Sequence, residues 1–380
     1  MNPFGEQSFF IMLFAILALA FVLGLFGRLG RRSILLFNLI FIVLIFSSIP
    51  KQAAALGLFA VWEYLVCRLA LANDRRRRPT AFFWLLLALS IAPLFIAKTS
   101  AVLIHRELGF LGVSYLSFRS LQLVIDSWKG SITKLSVADF ASFVFFFPTL
   151  SSGPIDRSKR FWKDLATPLP VAEYIDLAKR GLLKLLLGLV YKFVFAWLIS
   201  TYWMSDLPGS GFLATASYMY AYTFYLFFDF AGYSLMAIGT GYILGLRVPD
   251  NFRLPFLSRD IKDFWNRWHI SLSSWFRDYL YTPTVMALIK GKWMGALAAS
   301  SIGFAVTMVT MGLWHGRQRH FLAYGSYHAM LLILTDLYQR KSRFHAIHKD
   351  SRWYEIIGIF LTFNLICFGM LIFSGRLLFR

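Results

Sequence analysis

Long apolar runs separated by short polar loops make up most of this chain. They fall around 8–27, 33–50, 53–72, 80–98, 183–204, 212–246, 295–314, 321–338 and 354–376. At roughly 1.5 Å of rise per helical residue, each is long enough, or nearly so, to cross a bilayer core of about 30 Å. The 212–246 run predicts two crossings with a break near Asp229 and Gly232. Weaker apolar segments lie at 108–125 and 137–150. The pattern predicts an all-α polytopic membrane protein with about ten to twelve membrane segments, some short or re-entrant. No repeat array, low-complexity linker or second domain interrupts it, so residues 1–380 read as one integral membrane domain.

Three stretches, 151–180, 247–293 and 339–353, are polar enough to be loops or surface helices. Within the second, Ile261, Phe264, Trp265, Trp268, Leu272, Trp275, Phe276 and Tyr279 recur at three- and four-residue spacing, with charged and polar residues between them. That spacing predicts an amphipathic helix over 259–281, interfacial or re-entrant.

Composition sharpens the picture. Hydrophobic residue types make up 58% of the 380 residues and charged types only 15%, against about 25% charged in a soluble domain. Lipid must therefore act as a solvent for much of the surface. The net charge of +20 would suggest nucleic acid in a soluble chain. Here the cations sit in short clusters between apolar runs, where the positive-inside rule and anionic headgroups account for them, and no nucleic-acid partner is expected. Arg28, Arg31 and Arg32 follow the first run and Arg75 to Arg78 follow the third, which places those loops in the cytoplasm and the N-terminus outside. The first run has no basic residues before it and no clear cleavage site, so it reads as a retained span. Cys67 and Cys367 lie inside apolar runs and read as buried small hydrophobes, without disulfide or metal spacing.

Candidate chemistry rests on histidine. Of the seven, His345 and His348 lie in a basic loop, and His105 and His320 sit beside arginine near span ends. The other three occupy apolar settings. His269 lies in Trp265-Asn266-Arg267-Trp268-His269, His315 in Gly312-Leu313-Trp314-His315-Gly316, and His328 one turn into the next run. Ionisable residues at membrane depth mark functional sites by default, and neutral imidazole is the cheapest of them to bury and suits general base work. A histidine hydrogen-bonded for packing is the competing reading of each. No HExxH, GxSxG, Walker A or paired-cysteine motif is present, so a nucleophile would come from a substrate. Asp229, at a small-residue position in an apolar run, either serves a binding site or ties helices together.

Several stretches resemble one family closely. They are Gly112-Val-Ser-Tyr-Leu-Ser-Phe-Arg119-Ser-Leu-Gln122, Phe147-Pro-Thr-Leu-Ser-Ser-Gly-Pro-Ile-Asp156-Arg157, Asp229-Phe-Ala-Gly-Tyr233, Asn251-Phe-Arg-Leu-Pro-Phe256, the segment from Ser258 to Ser273, Trp275-Phe-Arg-Asp278 and Met311-Gly-Leu-Trp-His-Gly316. Over about 105–330 the chain resembles the membrane-bound O-acyltransferases (MBOATs), and within them the DltB-type D-alanyl transfer branch. The resemblance implies a helical funnel, a catalytic histidine at His315 and a second active-site histidine at His269. His328 matches a third recurrent histidine of the family. Around them Trp265, Asn266, Arg267, Trp268, Ser273, Trp314, Asp229 and His328 are expected to contact substrate, with no metal. It also implies a D-alanyl thioester on a phosphopantetheine acyl carrier protein as donor, with no cofactor bound by the chain itself. The acceptor would be a cell-envelope polymer such as teichoic acid. A small membrane peptide and an exported partner would complete the transfer at a bacterial inner membrane. Alginate- and peptidoglycan-type O-acetyl transfer proteins share both histidine motifs, so an acetyl cargo is the alternative. The Ser151-Ser-Gly-Pro-Ile-Asp-Arg157 and Phe118-Arg119-Ser-Leu-Gln122 stretches look like the D-alanyl branch.

Overall fold

A computed structural model of the chain describes residues 2–72, 79–103, 105, 108–167, 169–205 and 211–377. The arginine cluster 75–78 lies outside the described residues. Among these residues every regular element is helical, and one isolated antiparallel bridge joins Phe252 to Trp268. Seven helices are long and apolar enough to cross a membrane: Gln7–Leu25, Pro50–Ala72, Thr80–Ser100, Val171–Met204, Phe212–Ile243, Ala296–His315 and Arg352–Phe373. The runs at 33–50 and 321–338 form the helices Arg31–Phe46 and Arg319–Lys341, and the weaker segment 108–125 forms Val113–Trp128. In a bilayer a helix satisfies its own backbone groups, so the apolar runs become helices with little choice.

Two compact units emerge, one of Met1–Gly188 with Tyr233–Pro249, the other of Leu189–Gly232 with Asp250–Arg380. In the first, the guanidinium of Arg119 is buried and donates to the carbonyls of Phe143 (3.2 Å), Val144 (2.9 Å) and Thr149 (2.7 Å). These include C-terminal carbonyls of the helix Val137–Val144, which would otherwise lack partners. The loop that follows is held by Tyr233, whose hydroxyl meets Ser151 Oγ at 2.8 Å and accepts from the Ser152 amide at 3.2 Å. Two motifs that carry the family resemblance thus have a structural use as well.

The run at 212–246 does not break. Phe212–Ile243 is one 32-residue α-helix. Asp229 is neutralised by an ion pair with Lys192, so nothing requires the helix to open and hydrate it. Further along, a Cβ on Gly239 would lie 2.5 Å from the Gly181 carbonyl oxygen. The small residues there serve helix–helix approach rather than helix termination.

In the second unit the same device sets the site. The helices Ala296–His315 and Arg319–Lys341 are joined by three residues and cross where Gly312 meets Gly325. A Cβ on Gly325 would lie 2.4 Å from the Met308 carbonyl oxygen, and one on Gly312 would lie 2.4 Å from that of Phe321. Replacing Gly325 with Leu should force the pair apart, costing about 1–3 kcal/mol or more. The expected result is a lowered Tm in detergent and lost acyl transfer; an unchanged Tm would contradict the packing.

Candidate active site

The amphipathic segment 259–281 is not one helix. Ile261–Arg267 begins at Asp260, whose carboxylate caps the Asp263 amide at 2.9 Å, and ends as Trp268 turns extended. His269 then adopts the left-handed region (φ 44°, ψ 51°), and Ile270–Phe276 starts anew. A non-glycine residue held there costs on the order of 1–3 kcal/mol, and such residues cluster at functional sites. The break is stabilised by the preceding segment. The Asn251 carbonyl accepts from the Ile270 amide at 2.9 Å, and Asn251 Oδ1 accepts from the Ser271 amide at 3.3 Å and its hydroxyl at 2.6 Å. The Arg253 amide donates to the Arg267 carbonyl at 3.0 Å. The Ile270 and Ser271 amides and the Arg267 carbonyl, which the break would leave without helical partners, are thereby recaptured, and His269 is buried.

An ionic network anchors the first half. Asp263 pairs with Arg267 at 2.7 Å, Lys262 with Asp336 at 2.6 Å, and Asp336 with Arg340 at 3.0 Å. Gln339 Nε2 donates to Asp260 Oδ2 at 2.9 Å. The polar face of Ile261–Arg267 is thereby tied to the helix Arg319–Lys341.

His315 ends its helix just beyond the Gly312–Gly325 crossing, and lines a cavity of about 70 Å³ together with His269. Trp265, Trp268, Phe230, Tyr324 and Phe373 surround them, with Leu and Met residues completing the wall. Ring contacts fix the histidines: His269 lies edge-on to Phe230 at 4.6 Å, and His315 to Phe373 at 5.0 Å. Tyr324 and the two imidazoles are the only titratable groups on this wall. Among the described residues no serine, cysteine or carboxylate lines it, so the groups it offers are the imidazoles and the Tyr324 hydroxyl, suited to proton transfer and hydrogen bonding. His269 is 4% exposed. Burial, followed by the nearby His315, holds its pKa down at about 3, so the ring is neutral across the physiological range.

A second, larger cavity of about 570 Å³ shares Trp265 and Met311 with the first. Arg253, Lys262 (paired with Asp336) and Arg277 (paired with Asp278) contribute cations to it and Asp263 a carboxylate, while Asn266, Ser273 and Thr307 contribute polar groups.

The remaining expected residues fall elsewhere. Arg267 is engaged with Asp263 and Trp314 packs on His315 at 4.7 Å; neither lines these two cavities. Asp229 stands apart, paired with Lys192. His328 is fully buried behind the wall, against Tyr324 at 4.6 Å and Trp265 at 5.2 Å, and neither ring nitrogen has a hydrogen-bond partner. Its place is close to Gly369, where a Cβ would lie 2.6 Å from His328 Nε2. Tyr324, Phe230, Phe373 and Met311 were not singled out by the sequence; Tyr324 stands one helical turn before His328, the spacing that could have pointed to it. Cys67 and Cys367 are free and buried, and neither lines these cavities.

A buried two-histidine site on a scaffold of long apolar helices defines a class, and comparison with known proteins agrees. The family model for the membrane-bound O-acyltransferases matches residues 34–376, which spans both units and extends beyond 105–330. The chain belongs to this family, and is a multi-pass membrane acyltransferase. Among curated relatives, the teichoic acid D-alanyltransferase of Bacillus subtilis (strain 168) is 38% identical over 99% of this chain and 98% of that protein. The teichoic acid D-alanyltransferase of Streptococcus thermophilus is 34% identical over 99% of this chain and 96% of its own length. A probable alginate O-acetylase of Pseudomonas fluorescens is 32% identical over 84% of this chain and 63% of that protein.

The depressed pKa gives a direct test at His269. A depressed histidine resists protonation in the folded state, so the ring should stay neutral as pH falls from 8 to 5, through the usual value of 6.5. In ¹⁵N-histidine NMR of the detergent-solubilised protein, the signal lost in His269→Gln should not titrate over that range. A midpoint near 6.5 would refute the buried, neutral assignment.

Proposed function

We propose that this chain transfers a D-alanyl group from a carrier-protein thioester towards teichoic acid, with His315 as general base. The observation that carries the mechanism is the cavity where His315 and His269 meet without any serine, cysteine or carboxylate. The names of the near-full-length relatives support the cargo and acceptor. In this reading His315 takes the proton of the acceptor hydroxyl as its oxygen attacks the thioester carbonyl. His269, neutral, hydrogen-bonds the developing oxyanion. Collapse breaks the carbon–sulfur bond, and the departing thiolate takes the proton back from His315. General base catalysis of this kind contributes roughly 10²–10⁴-fold.

The donor would be a phosphopantetheine arm, a substrate rather than a resident cofactor. The larger cavity suits it: Arg253 and Arg277 provide cations for the phosphate, Asn266 and Ser273 meet the amides, and Trp265 and Met311 adjoin the histidine cavity. An acidic carrier would dock against the basic stretches 151–180 and 247–293 from the cytoplasmic side of a bacterial inner membrane. A small membrane peptide and an exported partner would relay the group outward. Acetyl transfer to an envelope polysaccharide is the alternative, and the relative named for it is matched over only 63% of its own length.

The test offers labelled D-alanyl carrier and labelled acetyl donor to membranes containing wild type or His315→Ala. Label should move from the D-alanyl carrier with wild type and fall by at least 100-fold with His315→Ala. Transfer from the acetyl donor alone would move the function to O-acetylation, and an active His315→Ala would remove the histidine from the chemistry.

A further inference from the structure

An aminoacyl donor carries a feature that a neutral acyl donor lacks, an α-ammonium two bonds from the reacting carbonyl carbon. Bringing that charge into a closed cavity removes its water, and something must replace it. A carboxylate is the usual answer, and none lines the histidine cavity. Nearby acids of the same unit are already engaged: Asp229 with Lys192, Asp263 with Arg267, and Asp336 with Lys262 and Arg340.

What the cavity presents instead is aromatic. Phe230, Trp265, Trp268, Tyr324 and Phe373 line it beside the two histidines. We propose that these rings form a cage that takes the α-ammonium by cation–π attraction, so that this site selects an aminoacyl group over a neutral acyl group of the same shape. The inference rests on the D-alanyl reading above and adds to it the means of recognising the charge.

Three further observations fit. The rings are held in place from behind: Trp268 stacks on Phe264 at 5.5 Å, Trp265 is backed by His328 at 5.2 Å, and the Phe373 carbonyl meets His320 Nδ1 at 2.8 Å. A cage of fixed rings loses little freedom on binding. The volume of about 70 Å³ holds about five water-sized groups at roughly 10–15 Å³ each, which matches the five non-hydrogen atoms of an alanyl group. Finally, the wall carries no lysine or arginine, and His269 is neutral in its buried setting, so no fixed cation opposes the ammonium as the donor binds.

The test uses three carriers loaded in the same way, with D-alanyl, with isobutyryl (a methyl in place of the ammonium) or with acetyl. The full-length protein in membranes is assayed as wild type, Phe373→Leu, Phe230→Leu and Phe373→Tyr, with chain levels measured by immunoblot. Wild type should favour D-alanyl over isobutyryl by about tenfold or more. Each leucine variant should reduce that ratio several-fold, and Phe373→Tyr should keep it. Equal rates for D-alanyl and isobutyryl in wild type would overturn the cage while leaving D-alanyl transfer intact. So would leucine variants that slow both cargoes alike. Transfer of acetyl without D-alanyl by wild type would overturn the functional reading itself, and the cage with it.

Discussion

A backbone group that leaves its helix inside a packed interior must find another partner, and the site is built around one place where the chain leaves helical geometry. At Trp268 and His269 the amphipathic segment steps out of helical geometry. Asn251 supplies the missing partners from another part of the chain, with its carbonyl on Ile270 and its side chain on Ser271. Without that substitution of partners the break would leave buried donors unpaired, a cost of roughly 1–3 kcal/mol each. With it, the left-handed residue is a histidine whose ring reaches the cavity shared with His315.

The second half of the site depends on closeness rather than on hydrogen bonding. Gly312 and Gly325 bring two helices to backbone contact, and their three-residue connection puts His315 and Tyr324 on the same wall. The ionic network from Asp260 to Arg340 then fixes the other wall to the same helix. A cavity formed this way is walled mostly by apolar and aromatic side chains and carries no carboxylate, lysine or arginine. Such surroundings favour neutral imidazoles, and they also demand that a charged cargo be met by something other than a carboxylate.

Much of this was legible in the sequence. The apolar runs gave the helices because the bilayer leaves the backbone few alternatives, and the two histidine motifs pointed to His269 and His315. What stayed hidden depended on partners distant in the chain. The Asp229–Gly232 stretch looked like a break because its apolar pattern lapses there, yet Lys192, 37 positions away, satisfies the acid and the helix runs on. Conversely, 259–281 kept its helical spacing across His269, so periodicity predicted continuity; Asn251 and Arg253, lying outside the pattern, support the break. Phe230 and Phe373 look like ordinary lipid-facing residues in the sequence, and helix packing alone puts them on the cavity wall. Asp229, Arg267 and Trp314 belong to the motifs that carry the resemblance, and motif membership does not distinguish a residue that lines these two cavities from one that lies behind them.

The most direct test of the account is the D-alanyl transfer rate of Asn251→Ala in membranes, measured against wild type at matched protein level. Asn251 lines neither cavity, and its side-chain oxygen holds Ser271 two residues past His269, so the substitution reads the geometry of the break. The account predicts a rate at least tenfold lower with the chain still inserted. A wild-type rate would show that the capped break does not set the active geometry.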